Sequence, residues 1–303
     1  KNNRQIPNLL LVTAGNRDSF SDLDAYQDFF EQLGANVQWL PVDRALNTLL
    51  KDQANCGELE SYRAKFLNSH ERDRIYSDRI SVQRHYCNNP SQIEKAISKA
   101  DGLVFIGDSP RLLRDSLIID NKFVSYALRI IKQRIDANKL FVASIGEVSR
   151  AMVSQGDTSA IIEHGNSEDA MNEGVDHFTI RQDECAQLAS CQSKVTRYFK
   201  GGLGLFDFSV IDTEFSDKGR IARLVKIVEH SDSQWGIGID KNTALLADNQ
   251  DNVLRLKVMG SDGITIIKNT VGTDRKQAQE IKNIHISYFT TGDGVSITDS
   301  ISA

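Results

Sequence analysis

Three short runs set the strongest limit on the fold: NLLLVTA (8–14), GLVFIG (102–107) and KLFVASI (139–145) are almost continuously apolar. A strand with no polar face must be covered on both sides. The segments between them carry helical periodicity, as in the stretch bearing Leu23, Tyr26, Phe29, Phe30 and Leu33, which Ser21 or Asp22 caps and Gly34 stops. NVQWLPV (36–42) reads as a further strand and SQIEKAISKA (91–100) as a further helix. Strand and helix in alternation imply a mostly parallel sheet with helices on both faces, a three-layer α/β/α sandwich.

Pro110, after Asp108 and Ser109, suits the first turn of a helix running to about Ile135. KLFVASI breaks at Gly146 into a helix expected over Glu147 to Gln155, and residues 157–200 give no clear pattern. GGLGLF (201–206) reads as a tight turn or loop, and FSVIDT (208–213) as a strand leading into IDTEFSDKGRIARL (211–224). There Ser216 is expected to cap a helix with Arg220 and Arg223 on one face and Ile221, Leu224, Val225 and Val228 on the buried one. From Trp235 the period becomes two, giving a β-rich C-terminal part with GSDG (260–263) as a hairpin turn. The segment from about 51 to 90 is highly charged and poor in aliphatics; it is expected to be a solvated, partly ordered insertion in a single domain spanning 1–303.

The 303 residues carry a net charge of −5 and no basic block, which argues against nucleic-acid binding. No apolar run approaches the ~20 residues of a membrane-spanning helix. Residue 1 is Lys, so the start is expected to be a processed or trimmed end. Cys56, Cys87, Cys185 and Cys191 form no CxxC pair. They fall into two local pairs, each closing a polar segment, which suits two loop disulfides and an oxidising compartment; four reduced thiols is the equal alternative.

The ordered run KGGLGLFDFSVIDTEFSDKGRIARLVKIV (200–228), followed by GIGIDKNTALL (236–246), resembles the cyanophycinases. These are relatives of the aspartyl dipeptidase peptidase E, with a sheet like that of class I glutamine amidotransferases. VFIGDSPRLL is similar to the family's Gly-Gly-Asn-Gln turn, and HISYFTTGD to its closing strand. The resemblance implies a fold of that kind, and an ancestral activity that cleaves β-aspartyl-arginine links with a serine on a strand-to-helix elbow.

The departures fall on the catalytic positions. Where the family has Gly-Thr-Ser-Ala-Gly, an ungapped register puts the nucleophile's place on Gly146; the base, the His of Asp-Gln-His-Phe, falls on Glu214, with Thr213 for Gln. Asp108, Ser109 and Pro110 replace the second Gly, the Asn and the Gln of the earlier turn. Glycine offers no nucleophile. A carboxylate of pKa ~4.3 is a weaker base than an imidazole of ~6.5. Asp108, if turned inward, sets negative charge near a developing oxyanion. A two-residue shift makes Ser144 an alternative nucleophile, although Val142 is too large for the elbow. Ser149 is a candidate without an elbow, and His164 is the one histidine considered as a substitute base.

The resemblance also implies that Lys218, Arg220 and Arg223 hold substrate carboxylates; the structural alternative is that they neutralise Asp212, Glu214 and Asp217. The leading expectation is a cyanophycinase-like protein without serine hydrolase activity that keeps a cleft for peptide carboxylates, ligand contacts falling to Asp108, Ser109, Thr213, Lys218, Arg220 and Arg223. The rivals are an active serine hydrolase built on Ser144, and a structural or assembly protein. The expected partners are an acidic or β-aspartyl peptide and a second copy of the chain as a homodimer, with no nucleic acid, membrane, metal or cofactor. The expected location is periplasmic or secreted.

Overall fold

A computed structural model describes residues 6–18, 20, 22–177, 195–250, 253–270 and 284–297. The chain divides into two compact units, Lys1–Ser149 and Arg150–Ala303. Both mix helix and sheet.

In the first unit the strands are β1 (Asn8–Val12), β2 (Asn36–Trp39), β3 (Gly102–Ile106), the short pair β4 (Ile118–Ile119) and β5 (Phe123–Val124), and β6 (Phe141–Ile145). The helices are α1 (Leu23–Gln32), α2 (Arg44–Asp52), α3 (Leu59–Leu67), α4 (Arg72–Ile75), α5 (Ser77–Asn88), α6 (Ser91–Lys99), α7 (Pro110–Leu117) and α8 (Tyr126–Asp136). Among the described residues, β1, β2, β3 and β6 form a parallel sheet in the order β2-β1-β3-β6. The apolar run of β3 is buried at every position, as its sequence requires. Leu11, Val104 and Ile106 meet Phe20, Leu23, Trp39 and Ile80 on one face of this sheet.

Two expectations change here. The helix expected from Pro110 to Ile135 is two helices. After α7 the chain reverses through Asp120 and Asn121, both in the left-handed region (φ 52° and 56°), and Ser125 caps α8 through Leu128 N. Asp and Asn tolerate that conformation, so the Asp-Asn pair and the Ser cap were the missed signals. The 51–90 segment is not a solvated, partly ordered excursion. It forms α3, α4 and α5, and buries Leu59, Leu67, Ile80 and Tyr86. Its charge misled because Arg63 points inward. That side chain is 0% exposed, donates to Asp43 Oδ2 (2.7 Å) and Gln83 Oε1 (3.2 Å), and lies 4.5 Å from the centroid of the Phe20 ring. Cys56 and Cys87 are joined in a disulfide across this segment. Cys185 and Cys191 lie outside the described residues.

In the second unit the strands are β7 (Ala160–His164), β8 (Val175–His177), β9 (Thr196–Lys200), β10 (Val210–Asp212), β11 (Trp235–Ile239), β12 (Thr243–Gln250), β13 (Val253–Gly260), β14 (Gly263–Asn269), β15 (Ile284–Thr290) and β16 (Gly294–Ile297). The helices are α9 (Ser167–Asn172) and α10 (Ile221–His230). One sheet runs β15-β14-β11-β10-β7-β9-β8, with β10 parallel to both β7 and β11; a second, antiparallel sheet runs β12-β13-β16. GSDG is therefore not a hairpin turn. β13 and β14 are in different sheets, and the chain crosses between them there. Period-two patterning marks strands but not which sheet each joins. Leu224, Val225, Ile227 and Val228 of α10 pack on Ala160, Ile162, Val210 and Phe215. The GGLGLF loop is held by backbone bonds from Gly202, Leu203 and Gly204 to the carbonyls of Ser154, Ala151 and Val153.

Candidate functional site

The site residues expected from the sequence fall in both units. In the first unit Asp108, Ser109 and Gly146 lie past the carboxyl ends of β3 and β6, where sites form in open parallel sheets, and Ser144 lies near the end of β6 itself. The turn after β3 is held close to the turn after β1: Asp108 N donates to Asn16 Oδ1 (3.1 Å) and Ser109 N to Gly15 O (3.0 Å). A Cβ at Gly107 would fall 2.6 Å from the Gly15 carbonyl carbon, so this approach needs glycine. Ser109 is a helix cap, its Oγ accepting from Leu112 N (3.1 Å), and the Asp108 residue is exposed.

β6 ends at Gly146, which has φ +82° and leads into a 3-10 segment, Gly146–Met152, rather than the longer helix expected to Gln155. An elbow places its nucleophile at a sharp, strained turn between strand and helix. Here the left-handed residue at that turn has no side chain. Ser144 is inside the strand. Its Oγ donates to Ser149 Oγ (3.0 Å), which in turn donates to the Ser144 carbonyl (3.3 Å). A second hydroxyl cannot take a proton as an imidazole does. Within this unit and among the described residues, Ser144 has no hydrogen bond to a histidine or carboxylate.

In the second unit, β10 carries Asp212 into the interior, at 0% exposure. Arg223 binds it in a two-pronged fashion, with Nε to Oδ2 at 3.0 Å and an η nitrogen to Oδ1 at 2.6 Å. Arg220 lies 3.4 Å from Oδ1 and also donates to the Thr213 carbonyl (2.6 Å). Arg150 Nε lies 3.3 Å from Oδ1. Burial outweighs that attraction and, with the neighbouring Arg223 and Arg220, lowers the Arg150 pKa to about 10. Burial also lowers the pKa of Arg223.

Thr213 is buried, and its N–H donates to Asp212 Oδ1 (2.9 Å); its hydroxyl has no hydrogen-bond partner among the described residues. Glu214 takes a left-handed φ of 46°, and its carboxylate lies 3.7 Å from Lys218 and 3.9 Å from Arg220. The next residue, Phe215, lies on β11 so closely that a Cβ at Gly238 would come within 2.3 Å of its ring.

Several local expectations are corrected. Ser216 does not cap the helix. Its N–H donates to Asp240 Oδ1 (2.9 Å), an aspartate that also accepts from Tyr288, and the helix starts only at Ile221. Ile221 is 45% exposed and Arg223 is buried, so Arg223 rather than Ile221 is on the inward side. Arg220 and Arg223 thus direct hydrogen bonds to the protein itself, while Lys218 stays at the surface, its side chain 56% exposed. His164 ends β7. Partial burial first, then the nearby Arg197 and Arg223, lowers its pKa, and it makes no hydrogen bond among the described residues.

Sequence reasoning passed over Arg150 altogether. The available signal was Asp212 itself: a carboxylate in an apolar strand between buried neighbours demands cations.

No family model matches the chain. It is similar to the cyanophycinases of Synechococcus elongatus and Thermosynechococcus vestitus, 27% identical to each over 99 residues, which is 30% of this chain. The matched stretch also covers 30% of the length of those relatives. A peptidase from an acI-B1 Actinobacterium aligns over 95% of this chain and 82% of its own, at 13% identity and a TM-score of 0.48. The likeness to named proteins is therefore one to cyanophycinases over a limited stretch, in a chain whose two units are both mixed α/β.

Proposed function

We propose that the chain is a peptidase-related, cyanophycinase-like protein that does not hydrolyse peptides through a serine, and that it binds an acidic or β-aspartyl peptide. The observation that carries this reading is Gly146. The turn after β6 has its left-handed residue where the family resemblance sets the nucleophile, and that residue is glycine. The alternative hydroxyl, Ser144, hydrogen-bonds to a hydroxyl rather than to a base. Glu214, in the base's position, lies beside two cations. The exposed Lys218 is the cation best set to meet a peptide carboxylate. The Cys56–Cys87 disulfide supports a periplasmic or secreted location, since such bonds persist in oxidising compartments.

The test is incubation of the purified protein with β-aspartyl-arginine dipeptide and, separately, with a serine-directed fluorophosphonate. No turnover above the buffer rate and no adduct are expected. Turnover abolished by Ser144→Ala or Glu214→Ala, or an adduct mapped to Ser144, overturns the reading and installs the active-hydrolase alternative. Titration with the same dipeptide is expected to show binding that Lys218→Ala weakens. Absence of binding removes the peptide-binding half.

A further inference from the structure

The larger sheet of the second unit ends on a strand that lacks the usual safeguards of an edge. β15 is the terminal strand of the order β15-β14-β11-β10-β7-β9-β8. Its seven residues, IHISYFT, pair with β14 in unbroken antiparallel register. Natural edges are blunted by lysine, proline, bulges, inward charges or sheer shortness. β15 contains no Lys, Arg, Asp, Glu or Pro, and its register with β14 has no shift. β8, at the other end of the same sheet, is three residues long and carries Asp176.

The main-chain groups on the outer side of β15 follow from those of β14. Asn269 N donates to Gln234 O, and Gly263 O accepts from Asp240 N, so these two β14 residues bond toward β11. Alternation then turns Ile264, Ile266 and Lys268 toward β15, where they meet Phe289, Ser287 and His285. Ile284, Ile286 and Tyr288 therefore aim their N–H and C=O groups off the sheet, and these groups meet no partner among the described residues. Thr290 closes the row: its N–H donates to Asp293 Oδ2 (2.7 Å) and its carbonyl accepts from Asp293 N (2.9 Å). The side chains add a second feature. Ile286 lies opposite Ile267, which is buried under α10, and Ile284 packs on the same cluster. Ile286 is nevertheless 50% exposed and Tyr288 55%, so the apolar face runs out past its cover at the edge.

We propose that β15 pairs antiparallel with β15 of a second copy of this chain, about a two-fold axis at Ile286. That register sets Ile286 against its own mate and Ile284 against Tyr288. Every outward group of the three residues is then used, and Thr290, already satisfied, is left outside. A two-fold contact needs a surface that complements itself, and three unpaired residues spaced evenly about Ile286 supply it. Paired residues share a face, so Ile284, Ile286 and Tyr288 meet their mates as one apolar cluster across the axis. On the other face His285 falls opposite Ser287, so no charged side chain meets its like. The strand has no fixed charge with which to select an acidic or basic peptide, which favours its own copy as the occupant. The pairing is short, so the dimer is weak and depends on concentration.

Sedimentation of the full chain is expected to show monomer passing to dimer between about 1 and 300 μM. Ile286→Lys sets two like charges at the axis and is expected to weaken association about tenfold or more. Residues opposed in a hydrogen-bonded antiparallel pair have Cα atoms about 5.5 Å apart, within reach of a disulfide. Ile286→Cys is therefore expected to give a covalent dimer on mild oxidation, linked through that position in both copies by peptide mass. Met259→Cys, at a site of similar exposure (49%), is expected to give none. A chain that stays monomeric over the whole range overturns the proposal and leaves the edge to a strand of another protein. A dimer that Ile286→Lys leaves intact, or one without the Ile286→Cys link, overturns it as well. Sedimentation of the unaltered chain and the cysteine link decide the matter even where Ile286→Lys fails to fold. Neither peptide binding nor hydrolysis enters the readout, so the result is independent of the reading of Gly146.

Discussion

Each unit buries a carboxylate, and the two are neutralised differently. In the first, Asp43 is 1% exposed and caps α2 through Leu46 N (2.8 Å). It meets one guanidinium, Arg63, and one neutral amide, Gln83 Nε2 at 2.8 Å. In the second, Asp212 meets three guanidinium groups, those of Arg150, Arg220 and Arg223. Arg63 also lies 3.8 Å from Asp18, so its charge is met by carboxylates, whereas three guanidinium groups gathered on Asp212 repel each other at low dielectric. At Arg150, burial first and then the neighbouring Arg223 and Arg220 lower the pKa to about 10 despite the attraction of Asp212. The lesson is that a buried acid's worth depends on how many cations rely on it, as well as on its own hydrogen bonds.

The comparison is broken most directly by Asp212→Asn. It removes the carboxylate shared by Arg150, Arg220 and Arg223, two of which, Arg150 and Arg223, are buried, and the expected loss is about 3–5 kcal/mol in urea unfolding. A loss no greater than that of Asp43→Asn would show that the three cations are not held by this carboxylate. Next in size is the covalent difference. Cys56 and Cys87 are 31 residues apart in sequence, so their joint replacement by alanine is expected to cost about 3–4 kcal/mol. Asp43→Asn follows at about 1.5–3 kcal/mol. Asparagine still caps α2, and Arg63 keeps Gln83 at 3.2 Å and Asp18 at 3.8 Å.

A smaller effect sharpens the comparison through pH. Because burial holds the folded pKa of Arg150 at about 10, below its unfolded value, the unfolded chain binds more protons once pH passes about 10. Holding the cation inside therefore opposes folding at neutral pH, and this penalty is relieved as pH rises through 10. The stability difference between the unaltered protein and Arg150→Met is expected to move in favour of the unaltered protein by about 1 kcal/mol between pH 9 and 11. Other titrating lysines and tyrosines cancel in that difference. A flat or opposite trend would place Arg150 outside the cluster's electrostatics. Last, Lys218→Ala is expected to leave the unfolding midpoint within error, since its pairing with Glu214 is exposed and long at 3.7 Å.

The strands around the candidate site were legible because unbroken apolar runs admit few readings: β1, β3, β6 and β10 all lie within the predicted segments. The polar positions were less legible. Arg63 looks like a surface charge in one dimension, and only its partners Asp43 and Gln83, each 20 residues away, explain its burial; the apolar strand around Asp212 signals a need for cations but does not say that Arg150 and Arg223 supply them. Arg223 shows the same limit. Its spacing from Arg220 was read as a shared exposed face; the two do share a side, but that side meets the buried Asp212.

Sequence alone determined the alternation of strand and helix, the glycine at Gly146 and the carboxylate at Glu214. Those follow from residue identity and from periodicity, which is a local property of the backbone. Tertiary structure decided the rest: that the 51–90 segment is helical and partly buried, that GSDG passes between sheets, that Asp212 gathers three arginines, and that β15 lies at the edge of its sheet. These depend on contacts between residues far apart in the chain. Burial turns a charge from a solvated group into one that must find a partner, and no local pattern records which partner it finds.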